Sequence, residues 1–204
     1  PKPKPYEVLI EVKFTGICGT DMHIYHDTAF YKAPVILGHE YVGVITKVGS
    51  KVLDFHIGDL VTSPATIPCG KCFMCRNNHA NRCISDQKRI LGAYKADGTF
   101  AKYVAVPSSI LHKIPEGISL DETAVAEPAA CAIHNVSETV GVKPNDVVVV
   151  LGAGPMGLLC LQVAKISGAK KVIITGVSVD KERLNLAEKL GADLSIDVEK
   201  EDPV

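Results

Sequence analysis

The sequence predicts an α/β chain in two parts: a mostly-β first part over 1–144 and the opening half of a doubly wound parallel sheet over 145–204. Three features carry that expectation. Short alternating apolar and polar runs, broken by Gly, Pro and Asn, fill the first part, as strands with one solvated face require. The run Val147-Val-Val-Val-Leu151 is apolar at every position and reads as a central parallel strand buried on both faces. It runs directly into Gly152-Ala-Gly154-Pro-Met-Gly157, after which helix-like and strand-like segments alternate.

In chain order, Val8–Phe14, Val42–Val48, Asp59–Ser63 and Phe100–Val106 read as strands. Ser119-Leu-Asp-Glu122 has the spacing of a capping box, in which each side chain satisfies a free backbone donor at a helix start. A helix over Ala124–Val140, interrupted by Pro128, then links the two parts. Beyond the strand at 147–151, a helix reaches Ile166 and Gly168 closes it. Lys171–Thr175 is a second strand, Asp180–Leu190 a second helix ended by Gly191, and Asp193–Asp197 a third strand, giving the order βαβαβ. There is no internal repeat and no low-complexity segment.

At 204 residues and 47% hydrophobic, the chain can bury its own core without disulfide staples. A formal net charge of -1, with Lys and Arg dispersed, argues against nucleic acid and anionic membranes and for small-molecule partners. The uncharged stretch Val147–Ala164 is as long as a membrane span, but its central glycines and Pro155 fit strand, turn and helix better. The opening PKPKP has neither an initiator Met nor an apolar leader, so the chain is expected to start inside a longer one and to stop where the second sheet is half built. Most of the seven cysteines fall at metal-ligand spacing or near a His-Glu pair, which points to a reducing compartment, the cytoplasm.

The strongest local signal is Cys69-x2-Cys72-x2-Cys75-x7-Cys83, on a loop that includes Pro68, Gly70 and the pair Asn77-Asn78. Four soft thiolates this close fit tetrahedral zinc with no position left for substrate, and hence a structural site. A disulfide pair or four free thiols are the alternatives.

A second set is dispersed: Gly16-Ile-Cys18-Gly-Thr20-Asp21-Met-His23, then Gly38-His39-Glu40, then Ala126-Glu127-Pro128. A catalytic zinc takes about three protein ligands and keeps one position open, and a Cys, a His and a carboxylate meet that need. Taken singly, Cys18 is also a plausible small core residue and His39-Glu40 a surface pair.

Gly38-His39-Glu40-x2-Gly43-x5-Gly49-x2-Val52 resembles the zinc signature of the medium-chain alcohol and polyol dehydrogenases, and it lies in that family's order between Gly-Ile-Cys-Gly-Thr-Asp and the four-cysteine loop. The resemblance runs through essentially the whole chain and is nearest the sorbitol dehydrogenase branch. It implies a GroES-like catalytic domain over 1–144 and the N-terminal half of a Rossmann domain over 145–204. It implies that Cys18 and His39 bind a catalytic zinc, that Glu40 lies in or just outside its ligand shell, and that Glu127 binds directly or through water. With Cys69, Cys72, Cys75 and Cys83, that makes two zinc ions per chain, one catalytic and one structural. Ala126-Glu127-Pro128-Ala-Ala is similar to the polyol type, whereas a third cysteine stands there in related alcohol dehydrogenases. A threonine dehydrogenase-like enzyme is the alternative, and a non-catalytic nucleotide-binding relative is the rival from another class. The family is often tetrameric, so a homo-oligomer is implied.

The activity so implied is hydride transfer between a polyol or other secondary alcohol and NAD(P). Thr20 is placed to hydrogen-bond the substrate oxygen and pass its proton on, with His23 a next carrier and Tyr25 a pocket wall. As ordinary residues, Thr20 and His23 would be a turn residue and a surface residue. His26, His56, His79, His112 and His134 fit no ligand spacing, and Cys131 and Cys160 read as small apolar side chains.

Gly152, Gly154, Pro155, Met156 and Gly157 follow an apolar strand and open a helix, the setting in which glycines let the backbone approach a pyrophosphate. The acid that ordinarily holds the adenosine ribose at the end of the second strand is missing, with Gly176 there and Val177 and Ser178 after it. Asp180 reads as the cap of the next helix. A bare position no longer repels a 2'-phosphate, and Ser178, Lys181 or Arg183 could contact one, so the expectation leans to NADP.

Overall fold

The computed structural model describes residues 1–26 and 34–202. They form two compact units, Pro1–Glu127 and Pro128–Val204.

In the first unit, β1 (Glu7–Gly16) is followed by α1 (Gly19–Tyr25), β2 (Glu40–Val48), β3 (Leu60–Thr62) and β4 (Thr66–Ile67). Then come α2 (Phe73–Arg76), β5 (Arg89–Leu91), β6 (Lys95–Ala96), β7 (Tyr103–Pro107), β8 (His112–Lys113) and α3 (Leu120–Thr123). Among the described residues, one antiparallel sheet has the order β7-β1-β2-β3-β8, and β4-β5-β6 make a smaller one. The larger sheet turns Val8, Ile10, Ile45, Val61 and Val106 inward, as the alternation predicts.

The pairing of β1 with β2 decides where the functional residues fall. Thr46 is an extra residue on β2 and Lys13 an extra one on β1, so the two irregularities cancel and Gly16 stands opposite Glu40. One uncompensated slip would have turned every later side chain to the wrong face. Tyr41, fully buried next to Glu40, anchors β2 by donating its hydroxyl to Ser63 Oγ at 3.1 Å.

The predicted linking helix is divided. After α3, whose Ser119–Glu122 capping box is present, the chain turns at Ala124–Val125 and resumes as α4 (Ala126–Ile133). Pro128 lacks the N–H that an unbroken helix would give to the Ala124 carbonyl, so the break falls a turn upstream of it, and Pro128 sits in a first turn that needs no donor. The last stretch, His134–Val140, widens to a π-helix closed by Gly141 at φ 73°.

In the second unit, β9 (Val147–Leu151), α5 (Pro155–Ile166), β10 (Lys171–Gly176), α6 (Lys181–Lys189) and β11 (Leu194–Asp197) form the expected βαβαβ unit, with all strand pairs parallel and order β11-β10-β9. Its core packs Leu161, Ala164, Val172, Ile174, Leu184 and Ala187. One expectation is corrected: among the described residues β9 pairs only with β10, and Val147, Val149 and Leu151 are exposed, Leu151 to 83%. Only its alternate face, Val148 and Val150, packs on the core. No helix is long and apolar enough to cross a membrane among the described residues, and Val147–Ala164 is strand, glycine turn and helix.

Candidate metal and nucleotide sites

Cys69, Cys72, Cys75 and Cys83 converge, with all four Sγ atoms within 4.8 Å of one another. The separations Cys72–Cys75, Cys72–Cys83 and Cys69–Cys75 are 3.4, 3.8 and 4.0 Å. A tetrahedron with metal–sulfur bonds of about 2.3 Å has edges of about 3.8 Å, so the set fits zinc, whereas a disulfide needs about 2.05 Å. All seven cysteines are free, which removes the disulfide alternative. Backbone N–H groups of Cys75 and Ile84 push the Cys72 thiol down to about 6, while loss of solvent and the Cys72 sulfur push Cys75 up to about 12. Four adjacent sulfurs cannot all ionise without a cation among them.

The second convergence is Cys18, His39 and Glu40, whose ligand atoms also lie within 4.8 Å of one another. The register explains it: with Gly16 opposite Glu40, the chain just past β1 lies beside the chain just before β2. A Cβ on Gly16 would meet the Glu40 side chain, so the bare backbone there leaves that carboxylate its place. Gly38 takes φ +93° and a Cβ on it would meet Phe100 and Thr99, so only glycine delivers His39 at this angle. Glu127 is not in the group, though its charge helps raise the His39 pKa.

Asp21, which the sequence reading left without a role, organises this site. It is 2% exposed, and its Oδ2 accepts from Cys18 N–H at 2.8 Å while its Oδ1 accepts from Gly38 N–H at 2.9 Å. Oδ1 is also 3.6 Å from His39 Nδ1, which is buried with no hydrogen bond, so the bond with Cys18 is left to Nε2. The signal available in the sequence was an acid three residues past Cys18, the spacing of a helix-start acceptor. Burial alone would lower the His39 pKa, but the Cys18 hydrogen bond and the charges of Asp21, Cys18 and Glu127 raise it. His39 in turn pulls the Cys18 thiol down, against burial, and the Thr20 N–H and hydroxyl add to this. A cysteine sulfur, an imidazole that faces the Asp21 carboxylate, and the Glu40 carboxylate make a donor set that fits zinc.

Thr20, His23 and Tyr25 all lie on α1, not on a turn. Thr20 is half-buried beside Cys18, and His23 and Tyr25 are exposed.

In the second unit, Gly152 turns the chain at φ +97° and Gly154 caps α5, with Pro155 at its first position and Met156 next. A Cβ on Gly157 would strike the Gly152 carbonyl, so this glycine lets helix and strand touch. A Cβ on Gly154 would meet no protein atom within 4 Å. Nothing among the described residues demands a glycine there, whereas a phosphate group lying against the helix start would. Gly176 ends β10. Asp180 precedes α6 without a capping bond and instead pairs with Arg183 at 2.8 Å, while Ser178 bonds Asp197 and Glu199; Lys181 opens α6.

The alcohol dehydrogenase GroES-like domain family matches residues 4–116, and the zinc-binding dehydrogenase family matches 155–204. The chain belongs to the zinc-dependent alcohol dehydrogenase family. Among curated proteins, it is 43% identical over 203 residues to a sorbitol dehydrogenase of Halalkalibacterium halodurans, covering 99% of this chain and 58% of that protein. It is 43% identical over 192 residues to the D-xylulose reductase A of Aspergillus niger, covering 92% and 52%. The chain thus spans little more than half the length of these relatives. Among solved structures, galactitol-1-phosphate dehydrogenase from Escherichia coli superposes with a TM-score of 0.89 at 32% identity, covering 99% of this chain and 57% of the other. A Sinorhizobium meliloti protein bound to NADP gives 0.91 at 37%, covering 99% and 57%. A short chain alcohol dehydrogenase from E. coli complexed with NADH gives 0.88 at 38%, covering 97% and 56%.

Proposed function

We propose that the protein is a zinc-dependent oxidoreductase that moves a hydride between a polyol or other secondary alcohol and a nicotinamide dinucleotide. The observation that carries this reading is the convergence of Cys18, His39 and Glu40 around Asp21. Cys18 and His39 would hold the catalytic zinc, with Glu40 and Glu127 as the carboxylates that complete or flank its ligand set, and Cys69, Cys72, Cys75 and Cys83 would hold a structural one. When bound, the catalytic zinc supplies a Lewis acid that weakens an alcohol oxygen's hold on its proton, and the nicotinamide ring supplies the hydride acceptor.

The chain's own residues do the rest. Asp21 places its carboxylate 3.6 Å from His39 Nδ1, where its charge favours a positive imidazole and a cation held beside it. The Thr20 hydroxyl, beside Cys18, would accept a hydrogen bond from the substrate hydroxyl and hand its own proton on as it receives the substrate's, with His23, one helical turn on, as the carrier toward solvent. The glycine turn and the α5 N-terminus take the pyrophosphate. The polyol preference rests on the likeness to the sorbitol dehydrogenase and D-xylulose reductase sequences. A reducing cytoplasm, which keeps the four thiols free for metal, and a homo-oligomeric assembly belong to the same reading.

A panel of polyols, threonine and simple secondary alcohols, assayed with NAD and NADP on zinc-loaded full-length protein, tests this. Highest turnover on a polyol supports it. Preference for threonine moves the substrate class, and no turnover of any alcohol despite full zinc occupancy overturns the enzyme reading.

A further inference from the structure

The bare position at Gly176 raises a specific question, namely what meets the adenosine ribose at the carboxyl edge of this sheet. Gly176 cannot be repaired by a side chain without crowding, because a Cβ there would lie 3.2 Å from Leu184 Cδ2 and 3.4 Å from Ala153 Cβ. In the parallel register the residue paired with Gly176 is Asp197, the last of β11. Dinucleotides lie along this carboxyl edge, so Asp197 stands one strand over from the usual acid and on the same edge.

We propose that Asp197 replaces the missing acid of the second strand, and that with Ser178 it receives the adenosine ribose hydroxyls and makes the protein prefer NAD to NADP. The inference rests on the nucleotide site proposed above. Ser178 Oγ donates to Asp197 Oδ2 at 2.8 Å, and Ser178 N–H donates to Glu199 Oε2 at 2.9 Å. Both donors of Ser178 are therefore committed to carboxylates, and its hydroxyl oxygen is left as an acceptor. A ribose hydroxyl brings a proton and suits that acceptor, while a 2'-phosphate brings only acceptor oxygens and a charge of about -1.5 to -2. Two carboxylates would face that charge. Two of the cations nearby are already drawn to acids: Arg183 holds Asp180 at 2.8 Å and Lys200 pairs with Asp197. The Lys200 ammonium, followed by the Ser178 hydroxyl and Glu199 N–H, holds the Asp197 carboxyl below the usual aspartate value, so it is ionised wherever the protein works.

A preference for NAD runs against the NADP expectation drawn from Gly176, and nucleotide binding decides between them. The test is equilibrium binding of NAD+ and NADP+ to the full-length protein by calorimetry, with the Asp197→Asn and Glu199→Gln variants alongside. Wild type should hold NAD+ roughly tenfold or more tighter than NADP+, the margin of a lost hydrogen bond to a charged group. Asp197→Asn should shrink that ratio by about tenfold, and the surface change Glu199→Gln by less. A wild type that binds NADP+ as tightly as NAD+, or a folded Asp197→Asn protein with an unchanged ratio, overturns the assignment to Asp197. Should Asp197→Asn not fold, the wild-type ratio and Glu199→Gln still decide. Binding of neither nucleotide instead overturns the nucleotide site on which the inference rests.

Discussion

Asp21 and Gly38 are joined by a hydrogen bond of 2.9 Å from the Gly38 N–H to Oδ1 of a carboxylate whose other oxygen holds the Cys18 N–H. One buried side chain therefore ties together the chain leaving β1 and the chain entering β2, and it faces the imidazole of His39 as well.

Asp21→Ala leaves two backbone donors without their acceptor, at about 1–3 kcal/mol each, so the denaturation midpoint of the first unit should fall markedly. Asp21→Asn keeps the shape but loses the charge facing His39. It should cost less stability while lowering zinc affinity by about 10–100-fold in chelator competition. Unchanged zinc affinity in Asp21→Asn would remove Asp21 from the metal site.

Cys72→Ser replaces one of four converging sulfurs with a poor zinc ligand. Metal analysis should show a loss of about one equivalent per chain, with the site at Cys18 and His39 still filled. A chelator should then open the 69–83 loop at a lower concentration than in wild type, read as faster backbone hydrogen exchange there.

Gly157→Ala forces a methyl group against the Gly152 carbonyl, with no flexible side chain in the way to yield. Overpacking of this kind costs about 1–3 kcal/mol, and it displaces the turn proposed to receive the pyrophosphate. Both the melting temperature and dinucleotide affinity should fall. Gly154→Ala, with open space before it in the protein, should lower affinity while leaving the melting temperature almost unchanged.

Asp193 accepts from Val172 N–H at 2.7 Å and from Lys165 Nζ at 3.0 Å, and these bonds, the backbone one first, hold its carboxyl below the ordinary value of 3.8. A depressed folded-state value means a contribution that is complete above pH 3.8 and fades as pH falls through the lowered value. Asp193→Asn should therefore lower the melting temperature at neutral pH and converge with wild type in strong acid. A constant difference down to the acid limit would show that Asp193 does not act through its charge.

The four-cysteine loop and the glycine turn were legible in the sequence because each is local, with spacing and neighbours in one short stretch that already dictate the chemistry. The strands and the βαβαβ order were legible for the same reason, since apolar periodicity belongs to the segment that carries it. Cys18, His39 and Glu40 could be paired only through a family resemblance, because their meeting depends on two opposed bulges at Thr46 and Lys13 that no local pattern announces. The role of Asp21, the half-exposed state of β9 and the approach of Asp197 to Ser178 came from tertiary structure alone. Each is set by which strand lies beside which and in what register, and a buried or shared hydrogen bond acquires its meaning from a partner far away in the chain.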